Sequence, residues 1–313
     1  MKLTKKDIKE ILSGYVLGKL KSFHLIERRL NTLNPSLIVN TTKGKFFLKI
    51  YTKQFRRFKY HIIKGLDLLL FLEKKKYPSI KVFKTKKGKP HGEHKKIFFA
   101  IFEFLNIKEK KISNEKQAYE LGKNLGKLHK LAKNFPILKT GQGYNSFKTE
   151  LEKNRHLINK CPKKYKKRLE DIKKNFNGLK IKSNQPKSVC HVEFTSQHVR
   201  FKGNKLVKII DWDEVGRDYM FYDLGTSLTE SFNKNSINFK ILSSILRGYQ
   251  NQRKLTPWES NHIYEAILFG ICKFVIWGLD KEEIEKSGWD RIGLQNVEFL
   301  MKMGKNKFNQ MLK

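Results

Sequence analysis

Ser188-Val189-Cys190-His191-Val192-Glu193-Phe194-Thr195-Ser196-Gln197-His198-Val199-Arg200-Phe201 runs through Lys202-Gly203-Asn204-Lys205 into Leu206-Val207-Lys208-Ile209-Ile210-Asp211-Trp212-Asp213-Glu214. Two short apolar runs, residues 199–201 and 206–210, flank a Gly-Asn turn, the pattern of a β-hairpin. Polar groups stand at both ends of it. His191 and Glu193 precede the first run, and Asp211, Asp213 and Glu214 follow the second, so one hairpin brings several acids to the same edge.

Outward from this island the chain is α+β. Before it, Ile8, Ile11 and Leu12 fall at helical spacing behind a Thr4 cap. Residues 36–41 and 45–51, joined by Thr42-Lys43-Gly44, predict a hairpin. Ile62, Leu66, Leu69 and Leu70 predict a helix over residues 58–75 that ends before Tyr77-Pro78. Residues 80–83 and 97–105, around a turn at Lys87-Gly88-Lys89-Pro90, predict a further antiparallel pair. From Asn114 onward Ala118, Leu121, Leu125, Leu128 and Ala132 keep helical spacing, and helical patterns continue to about residue 176 and again from Tyr222. The expected organisation is therefore a small sheet lobe over residues 1–105 and a mainly helical lobe over 106–313.

The 313 residues are 39% apolar and carry a formal charge of +38. That charge attracts phosphate-rich partners. Its lysines are spread along the whole chain, however, whereas a nucleic-acid surface concentrates arginine and aromatic residues in one stretch, so nucleic acid is the less favoured partner. The opening residues lack the apolar stretch of a signal peptide, and the apolar run 266–279 is interrupted by Lys273, so a cytoplasmic protein without a membrane span is expected. Cys161, Cys190 and Cys272 have neither disulfide nor zinc spacing and are read as buried thiols.

Phosphoryl transfer from ATP needs an acid to receive the hydroxyl proton, oxygen ligands for magnesium and a cation on the phosphates. Lys49, Glu193 and Asp211 meet those needs. The stretch from His191 to Phe201, followed by Ile209-Ile210-Asp211-Trp212-Asp213 and Tyr222-Asp223-Leu224-Gly225, resembles the His-Gly-Asp-loop-Asn and Ile-Asp-Trp signatures of the aminoglycoside phosphotransferase and choline kinase-like family. Tyr15-Val16-Leu17-Gly18, Gly88-Lys89-Pro90-His91-Gly92-Glu93, Leu121-Gly122 through Leu128-His129, and Gly248-Tyr249-Gln250 before Leu255-Thr256 look like its homoserine kinase branch. Motifs recurring in this order over nearly the whole chain are more specific than any one of them.

The resemblance implies a protein-kinase-like two-lobed fold, with a nucleotide-binding N-lobe over 1–105 and a C-lobe over 106–313 that carries the catalytic loop and substrate pocket. It implies ATP with Mg²⁺ or Mn²⁺, and a small-molecule hydroxyl as acceptor. Lys49 is placed on the ATP phosphates, Glu193 at the catalytic base, Asp211 at the main metal ligand and His198 at the second. His191 orients the catalytic loop, Asp223 braces it, and His129 is structural. Glu103-Phe104-Leu105-Asn106 is either the hinge that receives adenine or ordinary core strand.

This chain departs from the family pattern at several places. Glu193 stands for Asp, and its extra methylene displaces the carboxylate by ~1 Å, a misplacement worth roughly a hundredfold in rate. His198 stands for Asn and serves a softer divalent ion, a phosphate or loop packing. Arg29 stands where relatives often place glycine, in the turn covering the nucleotide, where the expected compensation is contact of this turn's arginines with phosphate. No helix glutamate pairs obviously with Lys49; Asp67 and Gly65 are nearest the position. Asp213 and Glu214 either neutralise positive charge or touch substrate. The primary expectation is an ATP-dependent phosphotransferase. A weak or inactive kinase-like binding module is its rival, and an anionic-polymer binder the third reading.

Overall fold

The computed structural model describes residues 3–26, 35–51, 59–137, 184–279 and 289–312, with positions 167, 170 and 174. The chain divides into two compact units, Met1–Lys108 with Lys208–Asp213, and Glu109–Val207 with Glu214–Lys313.

In the first unit, helix α1 (Lys5–Ser13) begins in a capping box: Thr4 Oγ1 accepts from the Asp7 N–H at 3.2 Å and the Asp7 carboxylate accepts from the Thr4 N–H at 2.8 Å. Its Ile8, Ile11 and Leu12 pack into a cluster with Leu37, Val39, Leu48 and Ile101 of the sheet. That sheet has five antiparallel strands, β1 (Leu20–Leu25), β2 (Ser36–Thr41), β3 (Gly44–Tyr51), β4 (Gly92–His94) and β5 (Ile97–Glu103), in the order β1-β2-β3-β5-β4. Lys49 lies in β3 between Ser36 and Ala100. Helix α2 (Lys59–Lys74) buries Ile62, Leu66, Leu69 and Leu72.

Residues 80–83 differ from expectation. They form no strand and meet β5 through one bridge, Val82 to Phe102, whereas β4 is the ladder partner. The reason lies in the turn. Lys95 and Lys96 both take positive φ, 48° and 64°, the two-residue geometry whose twist suits a hairpin. The turn at Gly88 is real but closes only on Thr85 and Lys89. Residues 208–213 belong to this unit because Ile209 exchanges backbone hydrogen bonds with Pro78 and Ile80, and Trp212 packs edge-to-face on Tyr77.

The second unit is mainly helical. Helix α3 (Glu115–Leu131) starts at an Asn114 cap and packs on α5 (Phe239–Gln252). The backbones meet at glycines: a Cβ on Gly122 would lie 1.9 Å from the Ile245 carbonyl oxygen, and one on Gly248 2.1 Å from that of Tyr119. Between them in sequence come β6 (Lys187–Cys190), β7 (Val199–Lys202), β8 (Lys205–Ile209), β9 (Gly216–Tyr219), helix α4 (Met220–Leu228) and the short strands β10 (Phe232–Asn233) and β11 (Ser236–Ile237). β6 pairs with β9, β7 with β8 and β10 with β11. Helices α6 (Pro257–Ser260), α7 (Ile263–Leu279), α8 (Trp289–Met303) and α9 (Lys305–Leu312) follow. Cys190 and Cys272 are buried and free; Cys161 and most of the predicted helical stretch to residue 176 lie outside the described residues. Among the described residues no helix is long and apolar enough to cross a membrane.

Candidate active site

The first unit contributes a lysine held by two acids. Lys49 Nζ lies 3.1 Å from Asp211 Oδ1 and 2.5 Å from Asp213 Oδ2, and the Tyr51 hydroxyl donates to Asp213 Oδ1 at 3.3 Å. Burial alone would lower the Lys49 pKa, but Asp211 and Asp213 outweigh it and hold the ammonium well above its ordinary range. Lys49 is therefore a fixed, largely buried cation, not the exposed strand lysine that a lysine-rich sequence would also allow. Asp211 turns the chain out of β8 at φ +62°, a left-handed conformation that Asp tolerates better than most residues, and its side chain is 41% exposed.

Asp67 does not partner Lys49. It stands on α2 beside Lys64, at 3.9 Å, and Asp213 supplies the acid instead. Glu103 ends β5, where its carboxylate accepts from the Lys81 N–H at 2.7 Å and pairs with Lys208. Its side chain thus braces Lys208 against the strand, while Leu105 follows half-buried. Arg29 lies outside the described residues.

The second unit contributes the loop after β6. Asp223 of α4 gathers it: Oδ2 accepts from the His191 N–H at 2.7 Å, Oδ1 from the Val192 N–H at 2.8 Å, and His129 Nε2 lies 3.1 Å from Oδ2. Burial would raise the Asp223 pKa; the bonds from His129 and the loop outweigh it and keep the group below its usual range. An ionised carboxylate only accepts, so His129 carries its proton on Nε2 and receives the Tyr249 hydroxyl on Nδ1 at 2.7 Å. Ser227 Oγ donates to the Phe194 carbonyl at 2.6 Å and the Ser196 N–H donates to Glu230 at 3.0 Å. Asp223, Ser227 and Glu230 recur at intervals of four and three along α4 and the turn after it, one helical face bonded to one loop.

His191 is fully buried, with its ring edge-to-face on Phe194, and its backbone N–H ties the loop to Asp223. His198 Nδ1 lies 2.8 Å from the Glu193 carbonyl oxygen. A carbonyl can only accept, so Nδ1 bears the hydrogen, and a neutral ring then carries its lone pair on Nε2, 3.9 Å from Glu193 Oε2. Lys273 on α7 carries no motif that marks it as a site residue in the sequence. Its Nζ donates to the Val192 carbonyl at 2.6 Å. Its signal was the lone charge inside the apolar run 266–279.

In the first unit, the Asp211 carboxylate is the hard oxygen donor that magnesium or manganese prefers; in the second, the His198 Nε2 lone pair is a softer donor.

The model of the family described as phosphotransferase enzyme family matches residues 26–258. The homoserine kinase of Caulobacter vibrioides (strain NA1000 / CB15N) is 23% identical over 294 residues, covering 88% of each chain. An amicoumacin kinase solved with AMP-PNP, Ca²⁺ and Ami superposes with a TM-score of 0.71 at 14% identity, over 97% of this chain and 95% of that one. A spectinomycin phosphotransferase solved with ADP and spectinomycin gives 0.64 at 12% identity, over 98% and 100%. These likenesses show a kinase-like fold, with a small antiparallel-sheet N-lobe and a mainly helical C-lobe, as the sequence leads one to expect.

Proposed function

The chain belongs to the phosphotransferase enzyme family, and from that premise we propose that it transfers the terminal phosphoryl group of ATP to a hydroxyl of a small metabolite, homoserine first among candidates. The observation that carries this reading is the largely buried Lys49 ammonium held between Asp211 and Asp213 on the unit that also holds the five-stranded sheet. On this reading residues 1–105 form the nucleotide lobe and 106–313 the acceptor lobe; the division of the chain at Lys108 supports it.

Lys49 contacts the ATP phosphates, and Glu103 and Leu105 offer backbone groups to adenine. Glu193 accepts the acceptor's hydroxyl proton as its oxygen forms a bond to the terminal phosphorus and ADP leaves. Mg²⁺ or Mn²⁺ on the Asp211 carboxylate would neutralise phosphate charge, and His198 is the candidate second ligand on its own unit. His191 and Asp223 keep the loop in place. The relatives named homoserine kinase favour an amino-acid hydroxyl as acceptor.

The test is ADP release from ATP over a panel of homoserine, choline, aminopropanol and aminoglycosides. Acceptor-dependent release that disappears in Glu193→Gln supports the reading. Saturable nucleotide binding with no turnover on the panel favours the second reading, a kinase-like binding module, for which the Glu193, Arg29 and His198 departures are the motive, with the His198 ring bonded to its own loop.

A further inference from the structure

Val192 occupies a backbone conformation that its side chain resists. It is β-branched and sits at φ +78°, where glycine is at ease and such residues are outliers that persist only if their surroundings hold them. Both of its polar backbone atoms are held. The N–H donates to Asp223 Oδ1 at 2.8 Å, and the carbonyl accepts from Lys273 Nζ at 2.6 Å. Lys273 is only 7% exposed and stands beside Cys272, Ile271 and Phe269, all buried. A lysine is almost never buried so deeply unless paired; burial lowers the Lys273 pKa, and the negative charges of Glu193, Asp223 and Glu214 oppose that shift.

We propose that Lys273 is a positioning residue for Glu193: its ammonium clamps the Val192 carbonyl while Asp223 clamps the N–H, and the two hold the left-handed turn that aims the next side chain, Glu193. The role of Glu193 as base rests on the function proposed above; the clamp itself does not. A Lys273 of merely structural importance would affect the whole second unit. A clamp acts on one peptide, and its loss is repaired by any change that lets residue 192 adopt positive φ unaided.

The experiment combines hydrogen–deuterium exchange of the segment 189–198 with ATP turnover, in wild type, Lys273→Met, Val192→Gly and the double variant. Lys273→Met keeps length and volume but removes the donor. Expected are exchange in the segment faster by about tenfold or more with α3 and α5 unchanged, and kcat lower by roughly a hundredfold with KM for ATP unaltered. Adding Val192→Gly should recover most of both, because glycine needs no clamp. If Lys273→Met does not fold, Lys273→Gln, whose amide falls short of the carbonyl, takes its place. Unchanged exchange in the segment, or a defect that Val192→Gly leaves unrepaired, overturns the proposal. If wild type turns over no acceptor, the functional reading fails while the exchange and its rescue still decide the clamp.

Discussion

Glu193 and Asp211 separate two contributions that a single assay would merge. On the proposed mechanism Glu193→Gln removes the proton acceptor and keeps the shape of the side chain, so kcat should fall about 10²–10⁴-fold with metal-nucleotide binding retained, measured by ADP release beside calorimetric binding. At the same scale lies a pH effect. Burial holds the His129 pKa below its ordinary 6.5, although the neighbouring Asp223 pulls it upward. As pH falls through that ordinary value the unfolded chain takes up a proton that the folded chain refuses, so stability declines from about pH 6.5 downward. Melting temperature should fall between pH 7 and pH 5, and less so in His129→Gln, which loses the titrating ring. Single residues were also the least legible from sequence. Glu193, His198 and Asp211 are singled out as candidates by motif order. Lys273 and Asp213 take their meaning from what folds against them, Val192 in one case and Lys49 in the other.

Elements were read more easily, because their signals are local. Thr4 followed by Asp7 announces the start of α1, and Thr4→Ala should cost about 1 kcal/mol by losing the reciprocal cap. The β2–β3 hairpin and α2 likewise follow from alternation and helical spacing. The pairing of β5 was not legible in this way. Two lysines at 95 and 96 are unusual occupants of a positive-φ turn, so nothing local favours them over Gly88. Their choice is settled by the ladder of Gly92–His94 on Ile97–Phe99. The helix crossing of α3 and α5 is a further case. Leucine spacing reveals α3, but Gly122 and Gly248 look like weak helix residues until the facing carbonyls are seen. Gly122→Ala should destabilise by about 1–3 kcal/mol, although alanine is the better helix former, because the obstacle is backbone. Thermal melts of Gly122→Ala and an exposed control such as Lys130→Ala would show the difference.

At the scale of the whole molecule, 67 basic residues against 29 acidic ones give a formal charge of +38. Such a field raises the local concentration of any polyanion, ATP included, and is screened by salt. Apparent ATP affinity should therefore weaken as salt rises, without loss of the metal dependence that the proposed site assigns to Asp211. The central claim is that Lys49 and Asp211 form a metal-nucleotide site, and the thermal shift on adding ATP with Mg²⁺ or Mn²⁺ tests it most directly. At ligand near 100 times its dissociation constant, wild type should gain about 2.7 kcal/mol, and Asp211→Ala should lose the metal-dependent part. No shift in well-folded wild type with either metal, or an equal metal-dependent shift in Asp211→Ala, would contradict the account.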